Sequence, residues 1–188
     1  MKGKGLSGEA TAVLGIDPGV ARMGYGAVVR DGGRLRALEY GTVTTKAHTP
    51  FEMRLVILFN ELQKVVKRVK PRVVAMEELF FSRNVKTAIA VGQARGVALL
   101  VCGLAGVPVC EYRPMEVKQA VSGYGGADKQ QVQKMVKLFL GLQEVPKPDD
   151  TADALAIAIT HIQCAGTRLS EALRKLSRNT SGTVFPRP

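Results

Sequence analysis

The chain contains 188 residues, of which 46% are hydrophobic, and it carries a formal net charge of +11 at pH 7. The hydrophobic share excludes a chain that is disordered throughout, and the length predicts one domain with its own core. A strongly basic balance favours a polyanionic partner such as nucleic acid, although charge alone identifies no chemistry.

Signals for membranes, export or disulfides are missing from the sequence. No apolar run reaches the roughly 18 residues that a membrane-spanning helix needs, and Met1–Gly5 is not followed by the apolar segment of a signal peptide. The three cysteines, Cys102, Cys110 and Cys164, show no C-x-x-C spacing. We therefore expect no membrane partner, no zinc site or disulfide framework, and a reducing cytoplasmic location.

The first part of the chain predicts three antiparallel strands. Residues 1–11 are small, polar and basic, and we expect them to form a flexible arm. The predicted strands lie at 12–17, 24–30 and 34–44. The sequence Asp31-Gly32-Gly33 is typical of a hairpin turn between the last two of them.

Helices and short strands alternate in the rest of the chain. Apolar residues recur at steps of three and four from Phe51 to Val69, which predicts a long helix. Two further strands are predicted at 73–77 and 106–112. Further helices are predicted at 84–105, 114–121, 129–140, 150–165 and 167–177. We expect 12–177 to form one domain and 178–188 to be a disordered tail.

The predicted order of elements is β-β-β-α-β-α-β-α-α-α. It implies an α/β fold with one five-stranded mixed sheet, in which an antiparallel meander is joined by parallel strands, and with helices on both faces. Right-handed crossovers can place the fourth strand beside the first. The ends of these two strands, Asp17 and Glu77, would then be neighbours at the edge where α/β sheets bind ligands.

Acidic residues occur at three separate points of this basic chain. Asp17 ends an apolar strand and is followed by Pro18-Gly19, Glu77 ends another strand, and Asp150 and Asp153 share one face of a helix start. A strand-end aspartate can simply cap a turn, and acids at a helix start are favoured by the helix dipole. Brought together, however, the four carboxylates would repel one another without a cation.

A cluster of carboxylates that lacks histidine and cysteine suits Mg²⁺ or Mn²⁺ better than Zn²⁺. Two such ions can activate a water molecule and stabilise the leaving oxygen of a phosphodiester. On a basic protein, this chemistry predicts a metal-dependent nuclease.

Five motifs together resemble the RuvC family of bacterial Holliday-junction resolvases. They are Leu14-Gly15-Ile16-Asp17-Pro18-Gly19 with Gly24-Tyr25-Gly26, Ala75-Met76-Glu77-Glu78-Leu79-Phe80, Gly92-Gln93-Ala94-Arg95-Gly96, Val117-Lys118-Gln119, and Asp150-Thr151-Ala152-Asp153-Ala154-Leu155-Ala156. The resemblance covers residues 12–165, with the motifs in the order and spacing of the family. It implies an RNase H-like fold and a homodimer that nicks two opposed strands of a four-way DNA junction symmetrically, with Mg²⁺. It also implies the branch-migration proteins RuvA and RuvB as partners.

The same resemblance assigns roles to individual residues. The four metal carboxylates fall on Asp17, Glu77, Asp150 and Asp153, with two ions in the site and Mn²⁺ as a substitute for Mg²⁺. Lys118 falls on a lysine important for DNA binding and catalysis, and Lys129 on a second lysine of this kind. Phe80 falls on an aromatic residue that enters the junction, and Arg83 and Asn84 are candidates for contacts with the DNA backbone. Asp149, directly before Asp150, leaves open which of the two is the principal ligand.

Two other functions fit parts of the pattern. Asp17-x-Gly19 with Gly24 also suits a hairpin that binds ATP phosphates in actin-like proteins and sugar kinases, but those need two duplicated domains. A junction-binding protein without catalysis would explain the charge, with the carboxylates only capping turns. It would leave the convergence of four acids unexplained.

Overall fold

The computed structural model describes residues 11–78 and 85–180, with side chains described for 11–78 and 87–165. The strands are β1 (Val13–Asp17), β2 (Arg22–Asp31), β3 (Arg34–Thr44), β4 (Val73–Glu77) and β5 (Val109–Tyr112). The helices are α1 (Phe51–Val69), α2 (Val85–Ala105), α3 (Pro114–Ser122), α4 (Lys129–Leu140) and α5 (Asp149–Thr180). This is the order of elements that the sequence predicts.

The five strands form one mixed sheet in the order β3-β2-β1-β4-β5. β1, β2 and β3 are antiparallel neighbours, whereas β4 lies parallel to β1, and β5 parallel to β4. Gly32 and Gly33 both take positive φ angles, of 52° and 87°. Such angles are typical of tight hairpin turns, and they close the turn between β2 and β3. The predicted sheet is thereby confirmed.

Helices cover both faces of the sheet. Leu14 and Ile16 of β1 point to a core formed with α1 and α2, while Val13 points to a second core formed with α3, α4 and α5. This alternation follows from the two-residue period of a strand. Asp17 shares the orientation of Val13 and Gly15, so it lies on the face that α5 covers.

Glycines allow α5 to approach the sheet closely. A Cβ atom added at Gly15 would lie 1.9 Å from the carbonyl oxygen of Ala154, and one at Gly26 would lie 2.6 Å from a methyl carbon of Leu155. A side chain at either position would therefore push the helix outward. The first turns of α5 lie directly on β1 and β2 because these positions carry no side chain.

The end of α5 differs from the prediction. The structure contains one helix from Asp149 to Thr180, where the sequence predicts two helices at 150–165 and 167–177. Gly166 lies between the two predicted helices, but one glycine costs only about 1 kcal/mol in a helix, and no proline follows before Pro186. The helix therefore continues into the predicted tail, of which 181–188 lie outside the described residues.

Two further points concern α2 and the strand that follows it. Gly106 takes a φ angle of 66° and ends α2, so β5 begins at Val109 rather than at residue 106. Residues Thr87–Ala105 have a mean hydropathy of 1.7 and could cross a membrane by length and composition alone. This finding does not contradict the prediction, which concerned an unbroken apolar run, because Gln93 and Arg95 interrupt the segment.

Candidate active site

A cleft of about 290 Å³ lies at the carboxyl ends of β1 and β4, and helices α3, α4 and α5 surround it. Three acids line it, which are Asp17 of β1, Glu77 of β4 and Asp153 of α5. Two lysines complete the lining, Lys118 of α3 and Lys129 of α4. Four residues from four separate sequence motifs, together with Lys129, are thus brought into one cleft.

Asp17 is the most perturbed acid of the cleft. Its pKa is raised from 3.8 to about 7, first by burial and then by the negative charges of Asp153, Asp150 and Glu77, while Lys129 opposes the rise. Burial removes the water that stabilises a carboxylate, and each neighbouring carboxylate adds repulsion. A shift of this kind, in a cleft and with identified charged neighbours, is typical of functional sites.

Glu77 lies beside Asp17 because β4 is parallel to β1 and in register with it, with Ile16 opposite Met76. Burial raises the pKa of Glu77, the charge of Asp153 raises it further, and Lys118 lowers it. Lys118 is therefore close enough to act on this carboxylate. Its position on the first turns of α3 follows from Pro114, which occupies the first helical position.

Lys129 forms the ion pairs of the cleft. Its Nζ atom lies 2.9 Å from Asp153 Oδ2 and 3.4 Å from Asp149 Oδ2. Burial raises the pKa of Asp153, and the hydrogen bond from Lys129 lowers it in part. Asp128 caps α4 by accepting a 2.8 Å hydrogen bond from the Gln131 amide, which fixes the position of Lys129 at the helix start.

The structure distinguishes Asp150 from Asp149. Asp150 lies over Gly24, where an added Cβ would be 1.9 Å from the Asp150 carbonyl oxygen, and Gly24 pairs with Asp17 across the sheet. The charge of Asp150 acts on Asp17, and that of Asp149 is not among the causes of the Asp17 shift. Asp149 instead accepts a 3.0 Å hydrogen bond from Gln133 of α4. Asp150 is therefore the acid beside Asp17, although its side chain does not line the cleft itself.

Sequence reasoning missed two arginines of this region. Arg22 Nε lies 3.0 Å from Asp150 Oδ2, and Arg95 contacts the main chain of Glu77. Arg22 begins β2, directly after the turn that follows Asp17. Arg95 is the only charged residue of the sequence between Thr87 and Ala105. These placements are the signals that could have identified them.

Three residues predicted to contact DNA, Phe80, Arg83 and Asn84, lie outside the described residues. Glu78, an added charge beside the site, points to Arg113, whose Nε atom lies 3.5 Å from its Oε2.

The donor set fits a divalent cation. All the acids offer oxygen atoms only, which suits Mg²⁺ or Mn²⁺, and burial together with repulsion from the neighbouring carboxylates raises the pKa of Asp17 to about 7. Asp150 Oδ2 is buried, and its contact among the described residues is the ion pair with Arg22 Nε at 3.0 Å, whose geometry does not make a hydrogen bond. Within the described ranges, no three acidic, histidine or cysteine side chains already form a closed ligand group. The carboxylates are thus gathered near one another, with Arg22, Lys118 and Lys129 as their counter-charges among the described residues.

Comparisons with known proteins identify the family of this chain. The model of the family "Crossover junction endodeoxyribonuclease RuvC" matches residues 13–161. The RuvC protein of Desulfitobacterium hafniense is 60% identical over 149 residues, which cover 79% of this chain and 90% of that protein. The chain belongs to the RuvC family. The RuvC protein of Chloroflexus aggregans is likewise 60% identical, over 82% of this chain and 94% of the relative.

Solved structures extend the match to the fold. Thermus thermophilus RuvC in complex with a Holliday junction substrate has a TM-score of 0.78 and 43% identity, covering 82% of this chain and 94% of that one. The yeast mitochondrial Holliday junction resolvase shares the fold alone, with a TM-score of 0.61 at 15% identity. The fold is therefore RNase H-like, as predicted, and RuvC membership decides against the actin-like and sugar-kinase alternative.

Proposed function

We propose that this RuvC-family endonuclease resolves four-way DNA junctions by paired, symmetric nicks in opposed strands, in DNA recombination and repair. The observation that carries the proposal is the convergence of Asp17, Glu77, Asp150 and Asp153 at one sheet edge beside two lysines. The 43% identical Thermus relative bound to a Holliday junction supports the choice of substrate.

We propose that Asp17, Glu77, Asp150 and Asp153 hold two Mg²⁺ ions, and that Mn²⁺ can replace them. Bound at these carboxylates, the ions would supply an activated water and stabilisation of the leaving oxygen. The protein's own contribution is to hold the four acids close together at one edge of the sheet. Binding of a cation lowers the pKa of Asp17, because it offsets the repulsion from Asp153, Asp150 and Glu77.

The lysines suit the phosphate backbone of the DNA. Lys118 and Lys129 both line the cleft, and a phosphate entering it can accept charge-assisted hydrogen bonds from their ammonium groups. When a cation occupies the acids, Lys129 loses its role as their counter-charge and becomes available for this contact. Phe80, Arg83 and Asn84 stay proposals for DNA contacts, with Phe80 stacking on an unpaired base.

A homodimer would provide the two active sites that paired nicks require. α2 supports it because its outer side exposes Ile89, Leu100 and Leu104, which are 57%, 54% and 65% accessible. Exposed apolar patches of this kind mark interaction sites. We further propose RuvA and RuvB as partners and the bacterial cytoplasm as the location, since the curated relatives are bacterial RuvC proteins.

A cleavage assay tests this function. The substrate is a synthetic four-way junction, and a linear duplex of the same sequence serves as the control, each with and without Mg²⁺. We expect paired nicks in the junction only, and only with metal. Asp17→Asn should abolish cleavage while junction binding persists. Cleavage that survives Asp17→Asn would contradict the metal site, and binding without cleavage by the unmodified protein would indicate a junction binder instead.

A further inference from the structure

Arg95 is a buried charge in the middle of the apolar helix α2. Only 8% of the residue is accessible to solvent. A buried guanidinium is tolerated only when it is paired and hydrogen-bonded, because removing it from water is costly. Its surroundings must therefore supply acceptors, and the nature of these acceptors indicates what the residue does.

The acceptors belong to the two strands at the active-site end of the sheet. Nη2 of Arg95 donates a hydrogen bond to the Glu111 carboxylate of β5. Nη1 donates to the main-chain carbonyl of Glu77 at 3.3 Å and lies 3.7 Å from the sulfur of Met76. The guanidinium thus joins the last residues of β4 to β5, directly behind a proposed metal ligand.

The register of the sheet explains why the Glu77 carbonyl needs this partner. The amides of Val74 and Glu78 donate to β5, so the alternate residue Glu77 directs its main-chain groups towards β1. The parallel register, with Ile16 opposite Met76, makes residue 18 the next donor along β1. That residue is Pro18, which has no N–H group. The ladder therefore ends at the catalytic edge, and Arg95 donates the hydrogen bond that β1 cannot.

We infer that Arg95 is a positioning residue, which fixes the main chain of Glu77 so that its carboxylate stays aligned with Asp17 and Asp153 for metal binding. The inference rests on the proposed metal-dependent function. It also gives α2 a role in the active site, because the helix that exposes Ile89, Leu100 and Leu104 on one side sends Arg95 to the site from the other.

The test compares Arg95→Gln, Arg95→Lys and Glu111→Gln with a matched control, Arg68→Gln. Arg68 of α1 also forms an arginine–glutamate pair, with its Nε atom 2.8 Å from Glu39, but Glu39 lies on β3, at the opposite edge of the sheet from β5. Three quantities are measured on protein confirmed to be folded by circular dichroism. They are the single-turnover rate of junction cleavage, the Mg²⁺ concentration that gives half of that rate, and the Kd for the junction in EDTA.

Arg95→Gln should raise the half-saturating Mg²⁺ concentration and lower the cleavage rate by about 10- to 100-fold, as loss of a residue that orients a metal ligand does. The junction Kd in EDTA should stay unchanged. Arg95→Lys should recover part of the rate, because an ammonium can still reach one acceptor. Adding Glu111→Gln to Arg95→Gln should cause little further loss, since the two residues act as a unit, and Arg68→Gln should behave as the unmodified protein.

Two readouts separate this inference from the proposed function. Calorimetric binding of Mn²⁺ to the protein without DNA should weaken in Arg95→Gln, and hydrogen exchange at the Glu77 and Glu78 amides should become faster. If the unmodified protein binds Mn²⁺ but does not cleave, the proposed function is contradicted. Mn²⁺ affinity and hydrogen exchange in Arg95→Gln still test the positioning role of Arg95 in that case. Unchanged Mn²⁺ affinity and unchanged exchange in Arg95→Gln would overturn the inference. If that variant does not fold, the same result for Arg95→Lys and Glu111→Gln would overturn it.

Discussion

At the scale of single residues, burial and the neighbouring carboxylates make Asp17 harder to ionise. The pKa of this carboxyl is about 7 in the folded protein against an ordinary 3.8, so the folded state binds the proton more tightly than the unfolded chain. Its protonation therefore stabilises the fold fully below the unfolded pKa, and this contribution is lost as the pH rises through the folded pKa.

This shift predicts a pH-dependent difference between two proteins. Without metal, the Tm of Asp17→Asn should exceed that of the unmodified protein by an amount that grows as the pH rises from 3.8 towards about 7. The variant has no carboxylate to repel Asp153, Asp150 and Glu77. Calorimetric unfolding across this range in EDTA measures the difference, and added Mg²⁺ should narrow it. A constant difference at all pH values would show that the pKa of Asp17 is not raised in the folded protein.

Lys118 carries a second prediction at this scale. Lys118→Ala should lower the salt dependence of junction binding by about one phosphate contact, because each lysine bound to DNA releases one counterion. The measurement is the junction Kd at several salt concentrations in EDTA. Lys64→Ala is the control, since Lys64 pairs with Glu61 at 2.6 Å on α1, on the other face of the sheet. Equal salt slopes for both variants would show that Lys118 does not contact a DNA phosphate.

Residue patterns gave the identities of the acids but not their partners. Asp17, Glu77, Asp150 and Asp153 stand out because each follows or opens a regular element in a basic chain. The ion pair of Lys129 with Asp153 could not be read from the sequence, since it depends on how α4 lies against α5. The partners of Arg95 could not be read from the sequence for the same reason, because they depend on how α2 lies against β4 and β5.

At the scale of elements, the position of α5 on the sheet decides the geometry of the site. Its first turn carries Asp150 and Asp153, and it rests on Gly24, where the chain leaves no room for a side chain. The strand order was predictable, because hairpin signals and right-handed crossovers restrict the topology. The length of α5 was not, because a single glycine does not tell whether a helix ends.

Gly24→Ala tests this packing. The new Cβ would lie 1.9 Å from a main-chain oxygen of Asp150, so the start of α5 must shift, and we expect a loss of stability of about 1–3 kcal/mol together with a loss of cleavage. Gly41→Ala is the matched control in the same sheet, because its Cβ would lie 3.0 Å from the hydroxyl at the end of the Tyr25 side chain. Denaturant unfolding and the junction assay compare the two variants. Equal losses of stability and of cleavage in the two variants would show that the close approach of α5 to Gly24 is not required.

At the scale of the whole molecule, α2 presents an apolar surface that a monomer would leave in water. The double variant Leu100→Glu with Leu104→Glu should therefore yield a monomer in sedimentation experiments, while circular dichroism remains unchanged. Cleavage should lose the pairing of its nicks, because two linked sites are needed to cut both strands in one encounter. Leu38→Glu is the control, since Leu38 is also exposed, at 44%, but lies on β3. A dimer that persists in the double variant would move the interface away from α2.

The four acids are contributed by segments that are far apart in the chain, at 13–17, 73–77 and 149–153. During synthesis, a chain that has emerged as far as residue 148 contains Asp17 and Glu77 but neither aspartate of α5. The start of α5 must then settle on β1 and β2 before the acids meet. Since domains emerge from the ribosome amino end first, an unfinished chain holds only half of the carboxylates. With the proposed metal site, cleavage would therefore require translation of nearly the entire domain.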